Sequence, residues 1–165
     1  MKAPVPDKLS VRAARPGDEA ELVRCCSQMD HRERRLEPRK RPGDHIPAVY
    51  IKSLRRHAGE HGGCIMVAEV DGRVAGFVYA FQTEVLDHQT NEPALLVSIS
   101  DLVVARKFSK LGVDRMLIDA AEQYARQQGA DALTVAIQSG HKPTLNFYAD
   151  GGYKPHELIM MKNLK

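Results

Sequence analysis

Residues 101–153 read DLVVARKFSKLGVDRMLIDAAEQYARQQGADALTVAIQSGHKPTLNFYADGGY, and the order of elements in them decides the fold. An apolar strand over residues 95–105 runs into a short turn that holds Gly112. From there Val113, Met116, Leu117, Ala120, Ala121 and Tyr124 recur at i, i+3 and i+4, which predicts an amphipathic helix. Gly129 supplies its stop. A short buried strand over residues 132–137 follows, then a short helix over residues 143–149 closed by Gly151 and Gly152. A strand that feeds a helix start leaves amide groups without internal partners, and such a terminus attracts anions. A phosphate-bearing cofactor is the expectation.

Upstream, residues 9–13 read as a first strand. Asp18 and Glu21 have the spacing of a capping box, so a helix is expected to begin there. Leu22, Cys25, Cys26 and Met29 fall on one face of it. Pro47 suits the first turn of a second helix, in which Ile51, Leu54 and Ala58 share a side. Residues 64–70 and 73–81 are β-rich and joined by Asp71-Gly72, a strong hairpin signal. Residues 82–93 are polar and read as turn, and residues 157–162 read as a last strand. The order β α α β β β α β α β predicts an α/β fold: one domain over residues 1–165, with a mixed central sheet and helices on both faces.

Composition narrows the class. The chain has 165 residues, 43% of them hydrophobic and 27% charged, with a net charge of +3. These are the proportions of a globular domain that buries a full core. Cys25, Cys26 and Cys64 form neither a metal spacing nor a disulfide framework, so a reducing, cytoplasmic setting is expected. No apolar run approaches the length of a membrane span. His57 and His61 stand four apart, a metal-ligand spacing, but no Glu completes a His-Glu-x-x-His pattern, and no metal is expected.

The residues around Asp101–Asp114 and 143–153 resemble the GNAT superfamily of acetyl-CoA-dependent N-acetyltransferases. The resemblance covers nearly the whole chain. In that family a strand ending in acidic-Asp-apolar-x-Val precedes Arg/Gln-x-x-Gly-x-Gly/Ala. Here the strand is Ser100-Asp101-Leu102-Val103-Val104 and the loop Ser109-Lys110-Leu111-Gly112-Val113-Asp114, followed by Arg115. By resemblance, Leu102, Val103, Val104, Ser109, Lys110, Leu111, Gly112, Val113, Asp114 and Arg115 would bind acetyl-CoA. A backbone N–H near Val103 or Val104 would polarise the thioester carbonyl. The pantetheine arm would lie along the strand as an added strand does. Ser109 stands where Arg or Gln is usual and Asp114 where Gly or Ala is usual. A carboxylate in the first turn competes with phosphate for the same helix end, and Lys110 and Arg115 would offset it.

The family's Asn-x-x-Ala-x-x-x-Tyr-x-x-x-Gly-Phe ending is matched by Tyr148, Gly152 and Tyr153, with His141 and Thr144 at the Asn and Ala positions. The resemblance makes Tyr148 the acid that protonates the departing thiolate. Ser100 occupies the place where some members carry a glutamate base. Asp101 reads better as a structural acceptor, His141 is a candidate base, and water is an alternative that needs no dedicated residue.

Residues 31–45 hold Arg32, Arg34, Arg35, Arg39, Lys40 and Arg41 and read as an exposed loop or a frayed helix end. The arginines would suit a carboxylate or phosphate on an anionic acceptor, or form a solvated charge run. Nucleic acid would call for interleaved aromatics, which the loop lacks. The expected function is acetyl transfer from acetyl-CoA to a primary amine of a small molecule or peptide, and the resemblance admits a homodimer. The alternative is a non-catalytic module of the same fold, a reading that Ser100, Ser109 and Asp114 favour.

Overall fold

A computed structural model describes residues 8–36, 47–87, 91–137, 140–160 and 162. It contains two compact units, Met1–Val135 and Ala136–Lys165. The first holds β1 (Leu9–Ala13), α1 (Glu19–Leu36), α2 (Pro47–Glu60), β2 (Cys64–Val70), β3 (Arg73–Asp87), β4 (Glu92–Val104), α3 (Val113–Gln127) and β5 (Ala132–Val135). The second holds α4 (Lys142–Asp150).

The sheet runs β1-β2-β3-β4-β5. Its first three ladders are antiparallel and β4–β5 is parallel, so the sheet is mixed as the element order predicts. Asp71 and Gly72 both have positive φ, the primed turn that matches strand twist. Helices cover both faces. Ala80 and Val97 cluster with Ala125 of α3. Tyr79 and Asp101 meet His57 and Tyr50 of α2 instead, and α1 packs on α2 and β3. The core of the unit includes Leu22, Cys25, Ile51, Phe77, Val97 and Leu117, all fully buried.

One irregularity shapes β4. Ala80 pairs with Ile99 and Tyr79 with Asp101, which leaves Ser100 unmatched. Side chains alternate with period two along a strand, so the inserted residue reverses the faces of everything after it. Val97 therefore turns to α3 while Asp101, four residues on, turns to α2.

Three expectations are corrected, and one alternative is decided. Residues 82–87 and 92–93, expected as turn, are strand: β3 continues to Asp87 and β4 starts at Glu92. This arm extends past the last β2 partner, Cys64 opposite Ala80. A two-stranded arm wet on both sides has no need of apolar alternation, which is why its composition misleads. The capping box lies one turn early: Asp18 Oδ2 accepts the Arg15 N–H at 2.6 Å at the head of a 3₁₀ turn over Pro16–Asp18, and α1 follows. The helix α1 continues to Leu36, so residues 31–36 take the helix-end alternative; residues 37–46, with Arg39, Lys40 and Arg41, lie outside the described residues. Among the described residues the last strand is absent: residues 154–160 are neither strand nor helix, and Leu158, Ile159 and Met160 are exposed. High β-propensity produces a strand only where a ladder and a half-buried face exist.

Candidate active site

The site is built from the end of β4, the loop after it and the start of α3. The β4–β5 ladder pairs Leu96–Ile99 with Ala132–Val135 and stops. From Ser100 to Val104 the strand keeps β3 on one side and, among the described residues, has no ladder on the other. Orientation follows from one hydrogen bond: Ala105 N–H donates to Ala75 O at 2.8 Å, toward β3. By strand alternation Val103 also faces β3, while the amide and carbonyl groups of Leu102 and Val104 face the open edge. The amide of Val103, one of the two expected to polarise a carbonyl, therefore points into the sheet, and that of Val104 points out of it.

The loop is tied down at both ends. Arg106 N–H donates to Gln28 Oε1 of α1 at 3.0 Å. Phe108 is buried, with Lys107 Nζ 4.5 Å from its ring centroid. Ser109 donates its hydroxyl back to Arg106 O at 2.9 Å. Leu111 N–H closes the turn onto Phe108 O, and Lys110 is exposed.

Gly112 is the N-cap of α3 with φ 71°, a left-handed conformation that other residues adopt at a cost. A Cβ there would meet nothing within 4 Å, so the backbone faces open space. The first helical hydrogen bond runs from Met116 N–H to Gly112 O. Among the described residues no protein acceptor meets the amides of Gly112, Val113 or Asp114. The Val113 side chain is fully buried and anchors the turn, leaving its backbone as the part that faces outward.

The structure alters the expected charge balance in this turn. Asp114 Oδ1 accepts the N–H of Arg115 at 2.9 Å, so the carboxylate occupies one helix-start donor and leaves the three before it. Arg115 does not offset that charge. Its guanidinium pairs with Asp119 at 2.9 Å and reaches toward Glu122 at 3.8 Å, along the helix and away from the loop.

On the α2 side of the bulge lies a polar network that linear spacing gave no means of finding. Tyr50 donates its hydroxyl to Asp101 Oδ1 at 2.6 Å. Asp101 is 6% exposed and is an acceptor within the fold, as its sequence context suggested. His57 Nδ1 lies 2.5 Å from the Tyr79 hydroxyl. The phenol of Tyr79 is pushed up to about 12, first by burial, then by the charge of Asp101 and by Tyr124. Among the described residues no group of three or more His, Cys, Asp or Glu could hold a metal, and His57 spends its ring nitrogen on Tyr79.

In the second unit Tyr148 is buried on α4, edge-on to Phe147 and to Tyr153. Its backbone carbonyl accepts the N–H groups of Gly151 and Tyr153, which fixes the turn after the helix. Burial pushes its phenol up to about 12. His141 Nδ1 contacts Thr144 Oγ1 at 2.5 Å, at the start of α4.

The family model described as the acetyltransferase (GNAT) family matches residues 26–153. A 101-residue segment is 26% identical to the uncharacterized N-acetyltransferase YhfO of Bacillus subtilis, covering 61% of this chain and 65% of that one. Over 101 residues it is 30% identical to the probable N-acetyltransferase camello of Xenopus tropicalis, covering 61% and 43%. These matches thus span less than two thirds of either relative. The fold is that of AAC(6')-Iy, solved with the bisubstrate analogue CoA-S-monomethyl-acetylneamine: TM-score 0.74, 14% identity, 96% of this chain and 99% of that one. Among the described residues no helix is long and apolar enough to cross a membrane.

Proposed function

The chain belongs to the acetyltransferase (GNAT) family, and on that premise we propose that it moves an acetyl group from acetyl-CoA to a primary amine of a small molecule or peptide. The observation that carries the reading is the edge of β4, which loses its β5 partner after Ile99 and then turns the polar backbone of Leu102 and Val104 outward. A pantetheine arm has amide groups of its own and fits such an edge as a strand would. At the end of the same strand, the amides of Gly112, Val113 and Asp114 suit the diphosphate, and Lys110 adds charge beside them. Acetyl-CoA supplies the activated acyl group; the protein supplies position and polarisation.

The amide of Val104 is assigned to the thioester carbonyl, where charge develops during transfer. Tyr148 is assigned the proton for the departing sulfur. With a pKa near 12 its phenol is protonated at neutral pH and has a proton to give. In this reading residues 1–165 act as one domain in the cytoplasm, with the amine as partner.

Thermal melts with acetyl-CoA test binding, since a ligand at a hundredfold its dissociation constant stabilises by about 2.7 kcal/mol. Thiol release with an amine panel tests transfer, and Tyr148→Phe should lower kcat while leaving the melt with acetyl-CoA unchanged. A melt that does not move at millimolar acetyl-CoA sinks the proposal. A shifted melt with no thiol release for any amine favours the binding-module reading that Asp114 and Ser109 raise.

A further inference from the structure

Beyond Ala80, where its pairing with β2 ends at Cys64, β3 runs on to Asp87 with β4 on one side alone. The turn after α2 touches the other side once: Gln82 N–H donates to His61 O at 3.1 Å. By strand alternation the amide and carbonyl groups of Glu84 and Leu86 face the same way. Among the described residues no backbone group pairs with them. A cleft of about 520 Å³ opens at this edge, lined by His57, Glu60 and His61 from the end of α2 and by Phe81, Thr83 and Glu84 from β3. Glu60 and Glu84 are exposed, and among the described residues neither is ion-paired. Leu86 beside them is 51% exposed. Lys, Pro and bulges are the usual guards of a free edge, and residues 81–87 contain none of the three. No Lys or Arg occurs between Arg73 and Arg106, in a chain whose net charge is +3.

We propose that this edge docks an extended, Lys- or Arg-bearing segment of another protein, which adds to β3 as a strand. The segment's backbone pairs with the N–H and C=O groups of Glu84 and Leu86, the source of affinity in an augmented sheet. Its side chains alternate between the two faces. A cation standing opposite Glu84 makes a favourable cross-strand pair. On the other face, a Lys or Arg reaches Glu60 with its apolar stem along Phe81. Charge sets a second copy of this chain aside as the occupant. Its arm brings another Glu84 and Asp87 and no Lys or Arg, so like charges meet across the new ladder. The surface is separate from the acetyl-transfer site. Leu95, opposite Glu84, stands nine residues before Val104, about 30 Å along a strand. Docking therefore holds a partner at a distance from the reacting atoms, and it stands whether or not the chain transfers acetyl groups.

Amide NMR of the full chain, titrated with a blocked peptide of alternating Lys and Thr, tests the docking; the corresponding Glu and Thr peptide is the control. The Lys peptide should shift the amides of Glu84 and Leu86, slow their hydrogen exchange, and leave those of Gly112 and Val113 in place. The control peptide should shift none of them. Glu84→Lys should weaken binding of the Lys peptide roughly tenfold. Leu86→Pro removes one outward N–H, a change that an edge strand tolerates, and should weaken binding by a similar factor. Both changed groups lie off the β4 ladder, so the variants should keep the wild-type melt; should Leu86→Pro disturb the arm, Glu84→Lys alone decides. No shift at millimolar Lys peptide overturns the proposal. So does a shift that Glu84→Lys leaves intact, or equal binding of the control peptide. Glu84 and Leu86 resonances that change with protein concentration, together with a dimer in sedimentation, give the edge to a second copy and overturn it as well. None of these outcomes bears on turnover with acetyl-CoA, so docking and acetyl transfer fail separately.

Discussion

At the scale of single residues, Asp114 is one of the places where the chain departs from the family pattern, and its hydrogen bond shows how the helix start accommodates it. The carboxylate folds onto the Arg115 amide, a local cap that stabilises the helix start and blocks one donor of four. Removing it should have two opposite effects. Asp114→Ala should lower the melting temperature of the free protein slightly, and should tighten acetyl-CoA roughly two- to fivefold, the equivalent of about 0.3–1 kcal/mol for one charge at a helix end. Titration calorimetry at low salt reads the second effect. Unchanged or weaker affinity means the carboxylate does not oppose the phosphates. Asp114 was legible as a departure from the family pattern. That Arg115 is spent on Asp119 and Glu122 was not, because i,i+4 partners and loop phosphates compete for the same side chain.

At the scale of elements, the β3–β4 hairpin controls the site. Gly76 lies opposite Val104, and a Cβ there would collide with the Val103 carbonyl. That carbonyl is backbone and has no room to move without shifting β4. Gly76→Ala should therefore destabilise by about 1–3 kcal/mol, and should weaken acetyl-CoA because the displaced segment is the one with the open edge. Denaturant melts and a binding titration check both; a variant as stable as the wild type contradicts the close approach. The hairpin itself was readable from Asp71-Gly72, since the turn needs positive φ at both central positions. The bulge at Ser100 was not. It inserts one residue at Ser100-Asp101, where the alternation of Val97-Ser98-Ile99-Ser100 breaks, and two adjacent polar residues there read equally well as the end of the buried strand. The link from His57 to Tyr79 was invisible for a different reason: the two residues lie 22 apart, on elements whose contact is set by the packing of α2 on the sheet.

At the scale of the whole molecule, the sheet edge formed by β1 and β2 is held to the start of α1 by one arginine. Arg12 donates to Asp18 at 2.7 and 2.9 Å and to Glu69 at 2.5 and 3.0 Å. The Arg12 hydrogen bonds hold the Asp18 carboxyl at about 2, against an ordinary value of 3.8, with the Arg15 amide helping. The folded value lies below the unfolded one, so this stability is complete above about pH 4 and is lost as the pH falls toward 2. Asp18→Asn should cost roughly 2 kcal/mol at pH 7 and flatten the loss of stability between pH 4 and 2. Denaturant melts of both proteins at pH 7 and pH 3 give the comparison, and parallel acid profiles contradict it. The element order was enough to read the sheet and its two helical faces. The polar tie at Arg12 was not readable, because it joins residues 57 apart in sequence.

The amides that open α3 carry the functional reading, and they can be watched one by one. Amide NMR during a titration with CoA, and again with pantetheine, which lacks the diphosphate, resolves them. The amides of Gly112, Val113 and Asp114 should shift strongly with CoA and barely with pantetheine, while Leu102 and Val104 should shift with both. Saturation by CoA that leaves Gly112, Val113 and Asp114 unmoved would contradict a diphosphate held at the head of this helix.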